Sequence, residues 1–351
     1  MRHKHKIFRL SDVYCGEKIR MDEPGDDIER LTGEIILNRI VGIAYDNMEL
    51  STLPKEIRKT LEILREQHIR QTGEFLENLT FMAEILSGAA FPYALLKGAF
   101  LTAALYERGN RTSNDIDILV ESHNVTALQN LLREHGFIQG YCRNGEIIPA
   151  ARREILHARL NYGETVPFVR WNERGILEVD INFSMDYKPD GEQRLVAEML
   201  RNPLAVSIGE KSFYTLNTVD FLIQLCCHLY KEATTYEWVR YRRDLMLYKF
   251  SDIRVFLHEY GGEDYFRLLL ERIRALGLEK PCYYTLENAG KIYPALEDDA
   301  GFVQLKHAIR PDDLRFMKQI ADPVERKLYR YEMEFGEWFV EADRPAHLME
   351  A

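Results

Sequence analysis

Two aspartates one residue apart, Asp115 and Asp117, alternate with Ile116, Ile118, Leu119 and Val120. On a β-strand, side chains two positions apart share a face. Both carboxylates would therefore stand side by side, with the isoleucines packed behind them. Carboxylates held that close repel unless a cation sits between them. Mg²⁺ takes hard oxygen ligands and typically combines one or two carboxylates with substrate phosphates. Lys97 and Gly98 lie upstream, so the segment reads as a place where a nucleoside triphosphate meets a metal ion.

A third carboxylate is available further on. Residues 176–183 (ILEVDINF) alternate, with Ile176, Glu178, Asp180 and Asn182 on one side and Leu177, Val179, Ile181 and Phe183 on the other. That pattern predicts a strand with one polar face. If it lies beside strand 115–120, Asp180 completes a cluster with Asp115 and Asp117, and Glu178 is its rival on the same face. Three carboxylates can hold two metal ions, one on the triphosphate and one on an acceptor hydroxyl. Nucleotidyl transfer requires mainly positioning and charge neutralisation, which such a cluster supplies.

The elements that must position these residues follow from periodicity. Apolar residues at helical spacing run through 28–90, with Pro54 separating two helices. Residues 91–97 read as a short buried strand ended by Gly98, 99–106 as a helix, 107–114 as a polar loop and 115–120 as the second strand. A helix over 125–135 is stopped by Gly136. Ala150–Arg159 reads as helical and Arg170–Arg174 as a hairpin turn. Asn217 begins a helix containing FLIQLCCHLY, in which His228 reads as an ordinary core histidine. Helices are predicted over 244–257, 264–276, 302–309, 311–320 and 323–339, the last rich in Glu/Arg pairs that suit a solvated face. Strand, helix, strand, helix indicates an α/β layer flanked by helical segments.

Composition sets bounds. The 351 residues suffice for two domains. Lys and Arg total 46 against 56 Asp and Glu, a net charge of −10, which argues against general nucleic-acid binding. Five cysteines are scattered without a CxxC pair, so neither a zinc site nor a disulfide framework is expected, and the cytoplasm is the expected compartment. No run approaches the ~18 apolar residues of a membrane span. The arginines between 143 and 174 are partly balanced by glutamates. That balance suits a solvated face and could also shape a site for an acidic or phosphorylated acceptor; Tyr141, Tyr162, Phe168 and Trp171 nearby read as core, with stacking on a base or acceptor ring as the alternative.

Leu-Leu-Lys97-Gly98, the helix after it, Arg111-x-Ser113-x-Asp115-x-Asp117-x-Leu-Val and the later Glu-Val-Asp180 together resemble the DNA polymerase β-like nucleotidyltransferase superfamily. More narrowly, they resemble the bacterial group of uncharacterised nucleotidyltransferases. The resemblance is dense over 90–137, thin at 176–183, and has an echo at 221–257, where His228 and Lys249-Phe-Ser-Asp252 fall. It implies an α/β (α+β) fold, a small mixed-sheet core at 89–190 between helical segments at 1–88 and 191–351. It implies an enzyme that moves a nucleoside monophosphate from an NTP, with ATP the first candidate, to an acceptor hydroxyl, amine or phosphate, releasing pyrophosphate. Asp115, Asp117 and Asp180 would be the catalytic metal ligands, for Mg²⁺ or else Mn²⁺. Lys97, Gly98, Arg111, Ser113 and Lys249 would bind the nucleotide. The family's placement of the acid favours Asp180 over Glu178. The superfamily's usual Gly-Ser or Gly-Gly pair is Gly98-Ala99 here, so one side-chain hydroxyl is missing. Two other readings are carried: a nucleotide-binding protein without transfer activity, and a toxin-like enzyme that modifies a protein or tRNA. The acceptor is expected to be a small molecule, a peptide or a protein.

Overall fold

The computed structural model describes residues 2–161, 163–173, 175–185 and 193–351. Tyr162, Arg174 and position 190, a boundary expected from the sequence, lie outside the described residues. The chain folds into two compact units, residues 1–67 with 222–351 and residues 68–221.

The first unit begins with helices α1 (Arg2–Ser11), α2 (Ile28–Leu37) and α3 (Val41–Asn47). Asp27 caps α2 by accepting a hydrogen bond from the Arg30 amide. Helix α4 (Lys55–Leu86) follows Pro54 and is 32 residues long; the division between units falls within it.

The second unit carries β1 (Tyr93–Leu95), α5 (Gly98–Ala104), β2 (Asp115–Val120), α6 (Val125–Glu134), β3 (Ile138–Arg143), β4 (Glu146–Pro149), α7 (Arg152–Asn161), β5 (Phe168–Asn172), β6 (Gly175–Asn182), α8 (Gln193–Met199), β7 (Leu204–Ile208) and β8 (Lys211–Thr215). Its strands form one mixed sheet in the order β4-β3-β5-β6-β2-β1-β8-β7. Pairing is parallel between β2 and β6 and between β1 and β8, and antiparallel elsewhere. The β2 strand is central, and from Ile116 to Val120 every residue is buried, as expected where both faces are covered. In β6 the alternation read from the sequence appears as burial: Leu177, Val179 and Ile181 are inside, and Glu178, Asp180 and Asn182 are half-buried. Strands β7 and β8 extend this sheet beyond residue 190, because Thr215 pairs with Leu95 and donates its hydroxyl to the Leu95 carbonyl at 2.6 Å.

The first unit resumes with α9 (Thr218–Ala233), which contains the second division, then α10 (Tyr236–Arg240), α11 (Leu247–Tyr260), α12 (Glu263–Leu276), α13 (Glu279–Ile292), α14 (Ala300–Ala308), β9 (Gln319–Asp322), β10 (Lys327–Arg330), α15 (Phe335–Val340) and β11 (Met349–Glu350). The expected helices over 311–320 and 323–339 are corrected here. Residues 319–330 form an antiparallel hairpin, joined by β11 into a three-stranded sheet. Asp322 accepts hydrogen bonds from the amides of Val324 and Glu325, and Arg326 takes φ 56°. With Pro323 these residues build a tight turn, and local side-chain-to-backbone bonds of this kind compete directly with helix formation. The Glu/Arg spacing suited a helix surface, but the turn chemistry prevailed.

Candidate active site

Asp115 and Asp117 sit on β2, and Asp180 sits on β6. The parallel register sets Asp117 opposite Asp180 and Asp115 opposite Glu178. All four carboxylates therefore project from one face of two adjacent strands. A fifth joins them from a loop. Glu164 bridges antiparallel to Asn182, bracketed by hydrogen bonds from the Thr165 amide to the Ile181 carbonyl and from the Phe183 amide to the Gly163 carbonyl. The Asp180 carboxyl is pushed well above the usual range, first by burial and then by Asp117, Asp115, Glu164 and Glu178. Glu178 is raised too, by burial and by Asp115. Such an excess of negative charge in one place is the environment that a divalent cation relieves.

One cation is already built in. Lys97 Nζ contacts Asp117 Oδ1 at 2.7 Å, and Asn182 Nδ2 donates to the same oxygen at 3.2 Å. Asp117 itself is 5% exposed. Lys97 adopts φ 43°, ψ −115° at the junction of β1 and α5. A side-chain-bearing residue held there costs on the order of 1–3 kcal/mol, and such positions gather at functional sites. Gly98 is next. A Cβ placed on it would overlap Ser113 Oγ and approach Arg111 Nη1 to 3.2 Å. Gly98 is thus required by the close passage of the 107–114 loop. Arg111, buried at 7% exposure, donates through Nη1 to the Thr112 carbonyl at 3.1 Å and to Ser113 Oγ at 2.5 Å. Ser113 Oγ also meets Thr102 Oγ1 at 3.4 Å.

The loop is anchored from α4, where Thr72 Oγ1 bonds the Arg111 carbonyl at 3.2 Å and receives the Gly109 amide at 3.3 Å. Asn172 to Asn78, at 2.7 Å, joins β5 to the same helix. Thr72, Asn182 and Glu164 were not singled out from sequence. Asn182 was reachable, since it lies two residues from Asp180 on an alternating strand. Thr72 and Glu164 carry no local signal, because each acts across a tertiary contact.

Lys249 lies in the unit of residues 1–67 and 222–351, where Glu232 and the carbonyls of Arg243 (2.7 Å) and Asp244 (3.1 Å) hold its ammonium group. His228 Nε2 lies 3.3 Å from Glu232 Oε2 in that unit. Of the aromatics, Phe168 is fully buried core, Trp171 is 48% exposed, and Tyr141 is half-buried.

Asp115, Asp117 and Asp180 have the oxygen donors of a hard-cation site. Among the described residues, no three His, Cys, Asp or Glu side chains already converge to metal-holding distance. The donor types and their charge excess fit a cation; in the present rotamers Lys97 holds Asp117 instead.

A mixed sheet carrying paired carboxylates, with a Lys-Gly turn beside them, defines a nucleotidyltransferase-type core. The chain matches the family described as uncharacterised nucleotidyltransferase over residues 24–294, well over half its length, and belongs to that family. Among solved structures it is similar to an antigenic nucleotidyltransferase-like protein from Paracoccidioides brasiliensis, at 14% identity and a TM-score of 0.41, covering 66% of this chain and 93% of that one. Comparison with curated proteins gave no match. Among the described residues, no helix is long and apolar enough to cross a membrane.

Proposed function

We propose that the protein transfers a nucleoside monophosphate from an NTP, ATP first, to an acceptor hydroxyl, amine or phosphate. The observation that carries this reading is the register that sets Asp117 beside Asp180, with Asp115 two residues along on the same face. In the reaction, the acceptor atom forms a bond to the α-phosphorus, the bond to the bridging oxygen breaks, pyrophosphate leaves, and the acceptor proton goes to a base. Asp115, Asp117 and Asp180 would hold Mg²⁺ or Mn²⁺, which when bound supplies charge neutralisation at the triphosphate and acidifies the acceptor group.

The chain's own groups do the rest. Asp180, opposite Asp117 on the neighbouring strand, is placed to act either as a ligand or as the base that receives the acceptor's proton. Lys97 is a point charge that can exchange Asp117 for phosphate once a cation binds that carboxylate. Gly98, Arg111 and Ser113 form the polar wall next to it, and Arg111 is suited to phosphate oxygens. The cytoplasm belongs to the same reading, since that compartment supplies NTPs and its redox state suits five unbonded cysteines.

The test is pyrophosphate release and label transfer from each α-labelled NTP with Mg²⁺ and a panel of acceptors. Transfer that disappears in Asp117→Asn supports the reading. NTP binding with no pyrophosphate released for any acceptor would instead identify a nucleotide-binding protein without transfer activity, a reading to which the Lys97–Asp117 ion pair lends some support.

A further inference from the structure

Asp117 is held twice through one of its two oxygens. Lys97 Nζ and Asn182 Nδ2 both reach Oδ1, at 2.7 and 3.2 Å. Among the described residues, no hydrogen bond or ion pair engages Oδ2. A carboxylate oxygen only accepts, so the Asn182 amide presents its nitrogen to Asp117. The two donors differ in kind. Lys97 brings a point charge on a flexible stem. Asn182 is neutral, half-buried and carried by β6.

The backbone at Asn182 is fixed from both sides. On one side, the parallel register sets it opposite Leu119, two residues beyond the Asp117–Asp180 pair. Its side chain therefore shares the face of the carboxylates and reaches back across the strand pair to Asp117. On the other side, the Thr165 amide donates to the Ile181 carbonyl at 3.0 Å and the Phe183 amide to the Gly163 carbonyl at 3.1 Å. The amide is thus delivered by a paired strand, whereas Lys97 stands at the junction of β1 and α5.

Charge decides which donor stays when a cation arrives. An ammonium group and a metal ion on one carboxylate repel each other, so Lys97 gives way toward phosphate. A neutral amide meets no such repulsion. Carboxylates that ligate metals are themselves hydrogen-bonded by outer groups, and losing such a group typically costs about 10–100-fold in metal affinity.

We infer that Asn182 is a positioning residue for the cation site: it keeps Oδ1 of Asp117 after Lys97 leaves, holds the carboxylate in one orientation and leaves Oδ2 for the cation. The cation at Asp117 belongs to the nucleotidyl-transfer reading; the contact with Asn182 does not depend on it. Asn182 acts through Asp117 and touches no reacting atom.

The experiment is Mn²⁺ titration of the full chain, read by the electron paramagnetic resonance signal of free Mn²⁺, on the parent, Asn182→Leu and Asn182→Gln. Asp117→Asn, titrated alongside, identifies the binding that belongs to this site. Leucine keeps the volume of asparagine and removes the donor; glutamine keeps the amide on a longer arm. Asn182→Leu should weaken Mn²⁺ at least about tenfold, ~1.4 kcal/mol, and Asn182→Gln should stay within about threefold of the parent. Circular dichroism and cation-free melts confirm that the variants are folded, and Asn182→Ala replaces the leucine variant if that one does not fold. Parent-like affinity in Asn182→Leu, equal weakening in the leucine and glutamine variants, or no Asp117-dependent Mn²⁺ binding by the parent overturns the inference. Calorimetry with Mg²⁺ and a non-hydrolysable ATP analogue separates the two readings. A parent that binds Mn²⁺ in an Asn182-dependent way but never the analogue would overturn the nucleotidyl reading and leave the role of Asn182 standing.

Discussion

At the residue scale, the protein concentrates Asp115, Asp117, Glu164, Glu178 and Asp180 around one sheet face and sets Lys97 against Asp117. The consequence for pH is definite. Asp180 has a raised folded-state pKa, so the folded protein binds that proton more tightly than the unfolded chain does. Its contribution to stability is therefore lost as pH rises from the ordinary aspartate value, about 3.9, through the raised one. Without divalent cations, Asp180→Asn should melt about 2–4 °C higher than the parent at pH 7, the shift that ~1 kcal/mol gives in a unit of this size. The gain should vanish near pH 4, and a series of melts across pH reads both. The same variant should lose transfer activity. On the proposed reading, Asp117→Asn should lower transfer by about 10³-fold or more, ~4 kcal/mol of barrier, and abolish the rise in melting temperature that Mg²⁺ is expected to give the parent.

At the element scale, the turn from β1 into α5 and the loop from 107 to 114 are built against each other. Gly98 leaves the space that Ser113 occupies, and Thr72 on α4 fixes the loop from the other side. Gly98→Ala should destabilise the protein by about 1–3 kcal/mol through overpacking, measured by urea unfolding. Ser113→Gly in the same chain should recover most of that loss, because it removes the atoms that the new methyl would strike. If the single variant is as stable as the parent, the close passage is not what demands glycine at 98. The first unit has its own inter-element tie: Ser11 Oγ, Ser251 Oγ and Tyr293 Oη meet at 3.0 and 3.1 Å and join α1, α11 and the end of α13. Burial raises the Tyr293 hydroxyl pKa well above its ordinary value, so it stays protonated and able to donate.

At the scale of the whole molecule, the compact unit formed from 1–67 and 222–351 is assembled from both ends of the chain. Its C-terminal segment is fixed by Arg344, which is 2% exposed. Arg344 contacts Asp244 Oδ1 at 2.5 Å and donates to the carbonyls of Trp338 (2.8 Å) and Phe339 (2.5 Å). Removing one partner of a buried pair leaves a charge uncompensated. Arg344→Ala should cost about 3–5 kcal/mol in chemical denaturation, and the double change Asp244→Leu with Arg344→Met should recover much of it. A cost within error of zero for Arg344→Ala would show that this segment is held by packing alone, through contacts such as the Tyr331–Trp338 stack at 3.9 Å.

Local chemistry written along the chain determined the strands at 115–120 and 176–183, the shared face of Asp115 with Asp117 and of Glu178 with Asp180, and the helix start at Asn217. Each depends on residues only a few positions apart, where the periods of strand and helix act directly. Tertiary structure alone decided that Asp180 rather than Glu178 stands opposite Asp117, because register is a property of two strands distant along the chain and not of either one. It also decided that Glu164 joins the carboxylates and that Gly98 answers to Ser113, whereas at 319–330 local turn chemistry at Asp322 outweighed a charge spacing suited to a helix. Strand register, the Glu164 bridge and the Gly98–Ser113 approach each join segments apart in the chain, so no local period could encode them.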